Sequence, residues 1–283
     1  MQRYLAYLHQ KLDPLYPSVE VGSFSRHLLR KLANMSPVQI YSYKDRNFPE
    51  HTLEKLISAI DRLARKEPIQ YILGETEFYG LTFHVRPGVL IPRPETEELV
   101  EVISWDIQNK KNNIQILDIG TGSGCIAISL AKALPFATVS AWDISPEALV
   151  VATENAGINN VKVHFEITDI LNFTPDIHQK GSLDVLVSNP PYVRFSDASE
   201  MDANVLEHEP HVALFVENAD PLLFYRVISG LAIEMLKPGG SLYFEINSYL
   251  GKETLELVKT YPFREVLLIQ DISGKDRIIR ANL

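Results

Sequence analysis

The chain has one cysteine, Cys125, in 283 residues. A single thiol excludes an internal disulfide framework and fits a reducing cytoplasm. No apolar run approaches the ~18 residues that would suggest a membrane span. The first residues, Met1-Gln2-Arg3-Tyr4, lack the apolar core of a signal peptide. Positive charge is also in short supply, with a formal net charge of −9. That balance argues against a large nonspecific phosphate-binding surface, which needs clustered Lys and Arg, though it leaves room for a local basic patch. No internal repeat or low-complexity segment is visible. The expectation is a cytoplasmic protein without membrane or direct nucleic-acid contacts. What is present suits an ordinary globular chain: 46% hydrophobic and 22% charged residues, ample for a core. The length suits about two domains of ~100–200 residues each.

Residues 1–67 read as a small helical domain. Leu53, Leu56, Ile57, Ile60, Leu63 and Ala64 recur at i, i+3, i+4, i+7 spacing and give one apolar stripe. Tyr4 to Leu12 and Phe24 to Leu32 show the same period more weakly. From Pro68 the period changes to 2: Gln70 to Leu73, Thr76 to Tyr79 and Leu81 to Val85 read as β-type runs, so residues 68–92 form a hairpin linker. Pro92 and Pro94 keep the chain extended before a helix begins near Glu95, whose acidic first turn suits the helix dipole. From Ile114 strands and helices alternate, so residues 93–283 predict a mostly parallel, doubly wound α/β sheet.

Chemistry concentrates in two stretches of that second domain. In Asp184-Val185-Leu186-Val187-Ser188-Asn189-Pro190-Pro191-Tyr192, a short apolar strand is stopped by two prolines. Asn189 is thereby held at a strand's carboxyl end, where open α/β sheets place ligands. Its side-chain carbonyl, the backbone carbonyl of Pro190 and the flat face of Tyr192 together suit a planar, conjugated –NH₂ group. Upstream, Ile119-Gly120-Thr121-Gly122-Ser123-Gly124 lies between a strand and a helix, where glycine allows a tight turn and close approach of a ligand. Asp143, about 20 residues on, is placed to accept both hydroxyls of a ribose. Asp169, after the next strand, could accept from an adenine amino group. The glycine spacing is Gly-x-Gly-x-Gly rather than the dinucleotide Gly-x-Gly-x-x-Gly, because Cys125 occupies the next position. Each acid has an alternative use as a cap of a helix or turn.

Glycine loop, Asp143 and Asn-Pro-Pro-Tyr together resemble the class I S-adenosylmethionine-dependent methyltransferases. More narrowly, Pro68-Ile69-Gln70-Tyr71-Ile72-Leu73-Gly74, Leu90-Ile91-Pro92-Arg93-Pro94-Glu95-Thr96-Glu97, Asn189 to Tyr192, and Glu209-Pro210 with Ala213-Leu214 resemble the HemK/PrmC family. These are protein-(glutamine-N5) methyltransferases that modify peptide chain release factors. The resemblance spans nearly the whole chain. It implies a Rossmann-like catalytic domain, a helical-bundle N-terminal domain that recognises substrate, and a linking hairpin. The implied cofactor is S-adenosyl-L-methionine, leaving as S-adenosyl-L-homocysteine, bound by Gly120, Thr121, Gly122, Ser123, Gly124, Asp143, Asp169, Ile170 and Asn189. The implied substrate is the glutamine of a release factor's Gly-Gly-Gln tripeptide, bound by Asn189, Pro190, Pro191 and Tyr192, with Asn189, Pro190 and Tyr192 carrying catalysis. The chain departs from the family pattern at Ile170, where relatives often carry an aromatic residue, and after Glu245, where Ile246-Asn247-Ser248 lacks a frequent glycine. No metal is expected: in Glu207-His208-Glu209-Pro210-His211 the proline breaks a helical ligand register.

Two competing functions draw on the same residues. The same Asn-Pro-Pro-Tyr strand would serve a flipped adenine in a nucleic-acid amino-nitrogen methyltransferase, although the acidic charge and the lack of an inserted recognition domain weigh against it. A catalytically silent adaptor is opposed by the intact glycines, Asp143 and Asn189.

Overall fold

A computed structural model describes residues 1–42, 47–109 and 113–283. Five helices open the chain: α1 (Gln2–Leu12), α2 (Ser18–Leu32), α3 (Pro37–Ser42), α4 (Glu50–Ala64) and α5 (Ile69–Leu73). A hairpin, β1 (Glu75–Phe78) and β2 (Leu81–His84), leads to α6 (Pro94–Ile107). There follow β3 (Ile114–Ile119), α7 (Cys125–Ala133), β4 (Ala137–Asp143), α8 (Pro146–Ile158), β5 (His164–Ile167) and β6 (Leu183–Ser188). Four short pieces come next: β7 (Val193–Arg194), α9 (Ala203–His208), α10 (His211–Leu214) and β8 (Phe215–Val216). The chain closes with α11 (Leu223–Met235), β9 (Leu236–Glu245), α12 (Gly251–Lys259), β10 (Glu265–Gln270) and β11 (Asp276–Asn282).

These elements form two compact units. The first comprises Met1–Glu75 together with Asp202–His208; the second comprises Thr76–Met201 and Glu209–Leu283. In the first, the apolar stripe of α4 buries Leu53, Leu56, Ile60 and Leu63 against Tyr4, Leu8 and Leu12 of α1 and Val21, Leu28 and Leu29 of α2. His208 sits within hydrogen-bonding distance, 3.2 Å, of the Arg65 carbonyl in the same unit.

Gln70 to Leu73, read above as a β-type run, is instead part of helix α5. Pro68 lies just before it with its carbonyl accepting from Ile72 N–H, and Gly74 closes it in the left-handed region at φ 75°. Proline before and glycine after a short segment are helix signals. Here they outweigh the β-type composition of Gln-Tyr-Ile-Leu, because Tyr71 and Ile72 are buried by helical geometry. Val161 N–H bonds back to Ala156 at the end of α8, so β5 begins only at His164.

The second unit holds a seven-stranded sheet in the order β10-β11-β9-β6-β3-β4-β5, with β11 antiparallel to both its neighbours. Its central strands are apolar on both faces and buried, as parallel strands covered by helices are. One face packs Leu99, Val100 and Ile103 of α6 and Ile126, Ala127, Ile128 and Leu130 of α7. The other packs Tyr225, Ile228 and Ala232 of α11 and Val258 of α12. The chain runs outward from β3 to β5 and then returns to β6 on the opposite side of β3. The switch point therefore falls between β3 and β6, where a crevice opens at the strands' carboxyl ends.

Candidate active site

The glycine loop leaves β3 at that crevice. Gly120 and Gly122 have φ of 73° and 56°, a backbone region that side-chain-bearing residues rarely adopt. The turn is fixed by backbone donors: Gly120 and Thr121 N–H donate to the Trp142 carbonyl at 2.8 and 3.0 Å. Gly122 N–H donates to Asp143 Oδ2 at 2.8 Å. Buried Asn155 of α8 braces the loop from behind. Its Nδ2 donates to the Ser123 carbonyl at 2.9 Å, and its Oδ1 accepts from His84 N–H in β2. Gly124, at φ 81°, has a second reason to be glycine, since an added Cβ would lie 2.8 Å from Ile128 Cδ1 and 3.1 Å from Ala152 Cβ. It permits α7 and α8 to approach.

A cavity of roughly 270 Å³ lies over this loop. It brings together Gly120, Thr121, Gly122, Ser123, Asp143, Asp169, Ile170, Asn189, Pro190 and Pro191 of the residues expected from the sequence. Gly124 and Tyr192 are outside its lining. Tyr192 packs partly buried against the core under α11, and burial, with Glu245 nearby, pushes its hydroxyl well above the ordinary range. Asp143 stands at the end of β4 with Oδ1 accepting from Ser145 N–H at 2.9 Å. Burial raises its carboxyl, while the Ser145 and Gly122 amides hold it down in part. Each carboxylate oxygen can accept a second hydrogen bond, so the pair can still take two vicinal hydroxyls. Asp169 uses its carboxylate differently: Oδ1 accepts from Leu171 N–H at 3.0 Å and Oδ2 from Asn172 Nδ2 at 2.7 Å. It closes the turn that presents Ile170 and Leu171 to the cavity.

Several lining residues were not foreseen. Thr168 Oγ1 is buried in the cavity wall without a hydrogen-bond partner. Ile144 follows Asp143 into the lining, and Arg93 and Thr96 arrive from the segment that starts α6. Glu209, buried, holds that segment in place by accepting from Ile91 N–H at 3.2 Å and Arg93 Nη2 at 2.6 Å. Thr96 touches both acid and amide: its hydroxyl donates to Glu245 Oε2 at 2.6 Å and accepts from Asn189 Nδ2 at 3.4 Å. Ser188, next to Asn189, donates to the Ile119 carbonyl at 2.7 Å and ties the ends of β6 and β3 together. Among the described residues, no group of three or more His, Cys, Asp or Glu is arranged to hold a metal, and no helix is long and apolar enough to cross a membrane.

Two buried acids give the site a pH signature. Burial pushes Asp118 up to about 7, partly offset by the Thr121 hydroxyl and the Ala127 amide. Burial pushes Glu245 up to about 7 as well, partly offset by the Thr96 hydroxyl and the Arg277 charge. Both values lie above those of the unfolded chain, so the native state holds extra protons between roughly pH 4 and 7. Stability is fully present below that window and is lost as pH rises through it, at about 1.4 kcal/mol per pH unit for each group. Paired acids with lowered values, such as Glu67 beside Arg62, act only below their ordinary range. The thermal midpoint of the ligand-free protein should therefore fall between about pH 5 and 8, and Asp118→Asn should flatten the fall. A midpoint that is level or rises over this span in scanning calorimetry would refute this.

Known proteins agree with the fold and narrow the family. Residues 21–74 match the PrmC N-terminal domain and residues 95–211 match the Methyltransferase small domain. A methyltransferase of solved structure from Pyrococcus furiosus superposes with a TM-score of 0.52 at 18% identity, covering 72% of this chain and 90% of its own. That likeness supports the class I methyltransferase fold. The release factor glutamine methyltransferase of Bacteroides thetaiotaomicron is 47% identical over 282 residues, all of both chains. That of Flavobacterium psychrophilum is 47% identical over 284 residues, covering all of this chain and 99% of its own. Similarity of this extent, through both units and with the glycine loop and Asn-Pro-Pro-Tyr in place, means that the chain belongs to the release factor glutamine methyltransferase family.

Proposed function

We propose that this methyltransferase moves a methyl group from S-adenosyl-L-methionine to the side-chain amide nitrogen of the glutamine in a release factor's Gly-Gly-Gln tripeptide. The observation that carries the reading is the orientation of Asn189. Its NH₂ is turned to Thr96, which aims Oδ1 elsewhere in the cavity wall as an acceptor for a substrate amide.

The chain's residues fit the cofactor. Gly120 and Gly122 bare their backbone to the cavity, Asp143 offers carboxylate lone pairs for ribose hydroxyls, and Ile144, Ile170 and Leu171 supply apolar surface for a flat base. The orphaned Thr168 hydroxyl beside them awaits a polar partner. When bound, the cofactor supplies a methyl group made electrophilic by its sulfonium.

A glutamine amide nitrogen is a poor nucleophile because its lone pair is delocalised into the carbonyl. Asn189 Oδ1 and the Pro190 carbonyl can accept one N–H each, which orients the amide and raises electron density on nitrogen. Such orientation is worth up to ~7–11 kcal/mol of a barrier, and preorganised dipoles add to it. The extra proton on the methylated nitrogen passes to water. Incubation with methyl-labelled S-adenosylmethionine and a purified release factor tests the reading. Label is expected on the tripeptide glutamine and should vanish when that glutamine is replaced by alanine. Label elsewhere, or on nucleic acid alone, would overturn it.

Recognition beyond the tripeptide falls to the helical unit. One glutamine offers too few atoms to distinguish one protein from another, so specificity calls for a second surface. Val38 and Tyr41 on α3 stand 71% and 72% exposed, three residues apart and so on one side of the helix. Changing both to glutamate should lower kcat/KM on intact release factor at least tenfold and leave a Gly-Gly-Gln peptide unaffected. Equal rates on intact release factor would remove α3 from the recognition surface.

A further inference from the structure

We infer that Thr96 and Glu245 form a positioning relay that sets which end of the Asn189 side-chain amide faces the substrate. The inference rests on the glutamine-methylating role of Asn189 given above.

The three groups arrive from separate elements: Thr96 from the first turn of α6, Asn189 from the end of β6 and Glu245 from the end of β9. The last two are neighbours because β6 and β9 pair in parallel, with Ser188 opposite Phe244. Thr96 is 2% and Glu245 1% exposed, so water is largely excluded from the hydrogen bond between them.

An asparagine amide can be seated either way round, since its oxygen and nitrogen are nearly the same size. A threonine hydroxyl has one hydrogen to give. An ionised Glu245 only accepts, so it claims that hydrogen, and Thr96 Oγ1 donates to it at 2.6 Å. Thr96 is then left with lone pairs, which can only receive, and Asn189 must turn its NH₂ toward it. The amide oxygen consequently faces the substrate as an acceptor. With Glu245 protonated the chain can run in reverse: the acid donates to Thr96, whose hydrogen goes to Asn189 Oδ1. Asn189 then offers NH₂ to a substrate that itself offers NH₂, and the two repel.

The surroundings leave this ionisation free to act near neutrality. Arg277 of β11, and Arg93 and Glu95 at the start of α6, bear on Glu245 electrostatically. Tyr192, Tyr225 of α11 and Cys125 of α7 feel its charge in turn. Both arginines are committed to other carboxylates, Arg277 to Asp271 at 3.1 Å and Arg93 to Glu209 at 2.6 Å. Burial dominates, and the carboxyl rises to about 7. The substrate amide and the sulfonium have no titration there, so an acidic limb in turnover would belong to the enzyme.

The test uses the full-length protein and a purified release factor. Wild-type kcat should fall about tenfold from pH 8 to pH 6, as expected for one ionisation near 7; D118N, which removes the other buried acid raised to about 7, should keep that fall, while E245Q should be flat over the same range. T96V should lose 10- to 100-fold in kcat with KM for the release factor within threefold, and T96S should recover most of the loss. An unchanged kcat in T96V, or the same acidic limb in E245Q, would overturn the relay. A second measurement needs no turnover: the Asn189 side-chain amide resonance, assigned by its loss in N189A, should titrate with a midpoint near 7 in wild type. It should stop titrating in T96V and E245Q, and persistence in either rejects the relay. A wild type that methylates no release factor would instead reject the functional reading, while this resonance still decides the relay.

Discussion

Asn189→Ala should lower methyl transfer by on the order of 10²–10³-fold, the range typical for removing one preorganised polar group from an active site. The loss should fall in kcat, because what disappears is the acceptor that holds the glutamine amide in its reactive orientation. Alanine at this position leaves β6 intact, since Ser188 keeps its bond to the Ile119 carbonyl and Pro190 still ends the strand. Thr96 also keeps its acceptor in Glu245, so no buried donor is stranded. Cofactor affinity measured by calorimetry should stay within a few-fold of wild type. Turnover within a few-fold of wild type would mean that another group orients the amide and that the central assignment is wrong.

Asp143→Ala is expected to act on the other half of the cavity, weakening S-adenosylmethionine by ~1.5–3 kcal/mol, the worth of charge-assisted hydrogen bonds. That corresponds to about 10- to 150-fold in affinity. Two contributions add here. The acceptor for ribose hydroxyls is removed, and Gly122 N–H and Ser145 N–H lose the carboxylate that positions them. Asp143→Asn separates the two, because its one carbonyl oxygen can keep a backbone donor while the charge is gone. The asparagine variant should therefore fall between wild type and alanine. Cofactor affinity unchanged in a folded alanine variant would take Asp143 out of the binding site.

Most of the catalytic fold was legible because local signals and long-range pairing point the same way there. Ile114 to Ile119 was delimited by its apolar run and its glycine stop, and β3 occupies those residues. Asp143 and Asn189 could be placed because one ends a strand and the other directly follows one, and strand ends at a switch point gather in one crevice. The relay was hidden for the opposite reason. Thr96 and Glu245 are 149 positions apart in the chain, and nothing in either neighbourhood marks them as partners. Thr96 also sits among Glu95, Glu97 and Glu98, whose charges have a ready explanation in the helix dipole. Two of those acids turn out to act at a distance as well. Glu97 accepts from Tyr79 N–H after β1, and Glu98 accepts from Ile272 N–H in the turn before β11. Asp169 shows the converse: its turn-closing bonds are local, the capping use that an acid after a strand always has available.

The helical unit does not end where the first 75 residues end, because Asp202–His208 belongs to it. The polypeptide therefore passes between the units three times, at 75/76, 201/202 and 208/209. If the helical unit carries the recognition proposed for it, a single splice moves only part of that unit between relatives. A chimaera joined near residue 75 would carry one parent's helices and the other parent's α9, whose His208 lies 3.2 Å from the Arg65 carbonyl. Moving the whole unit takes a two-segment graft, with residues 202–208 carried alongside the N-terminal helices.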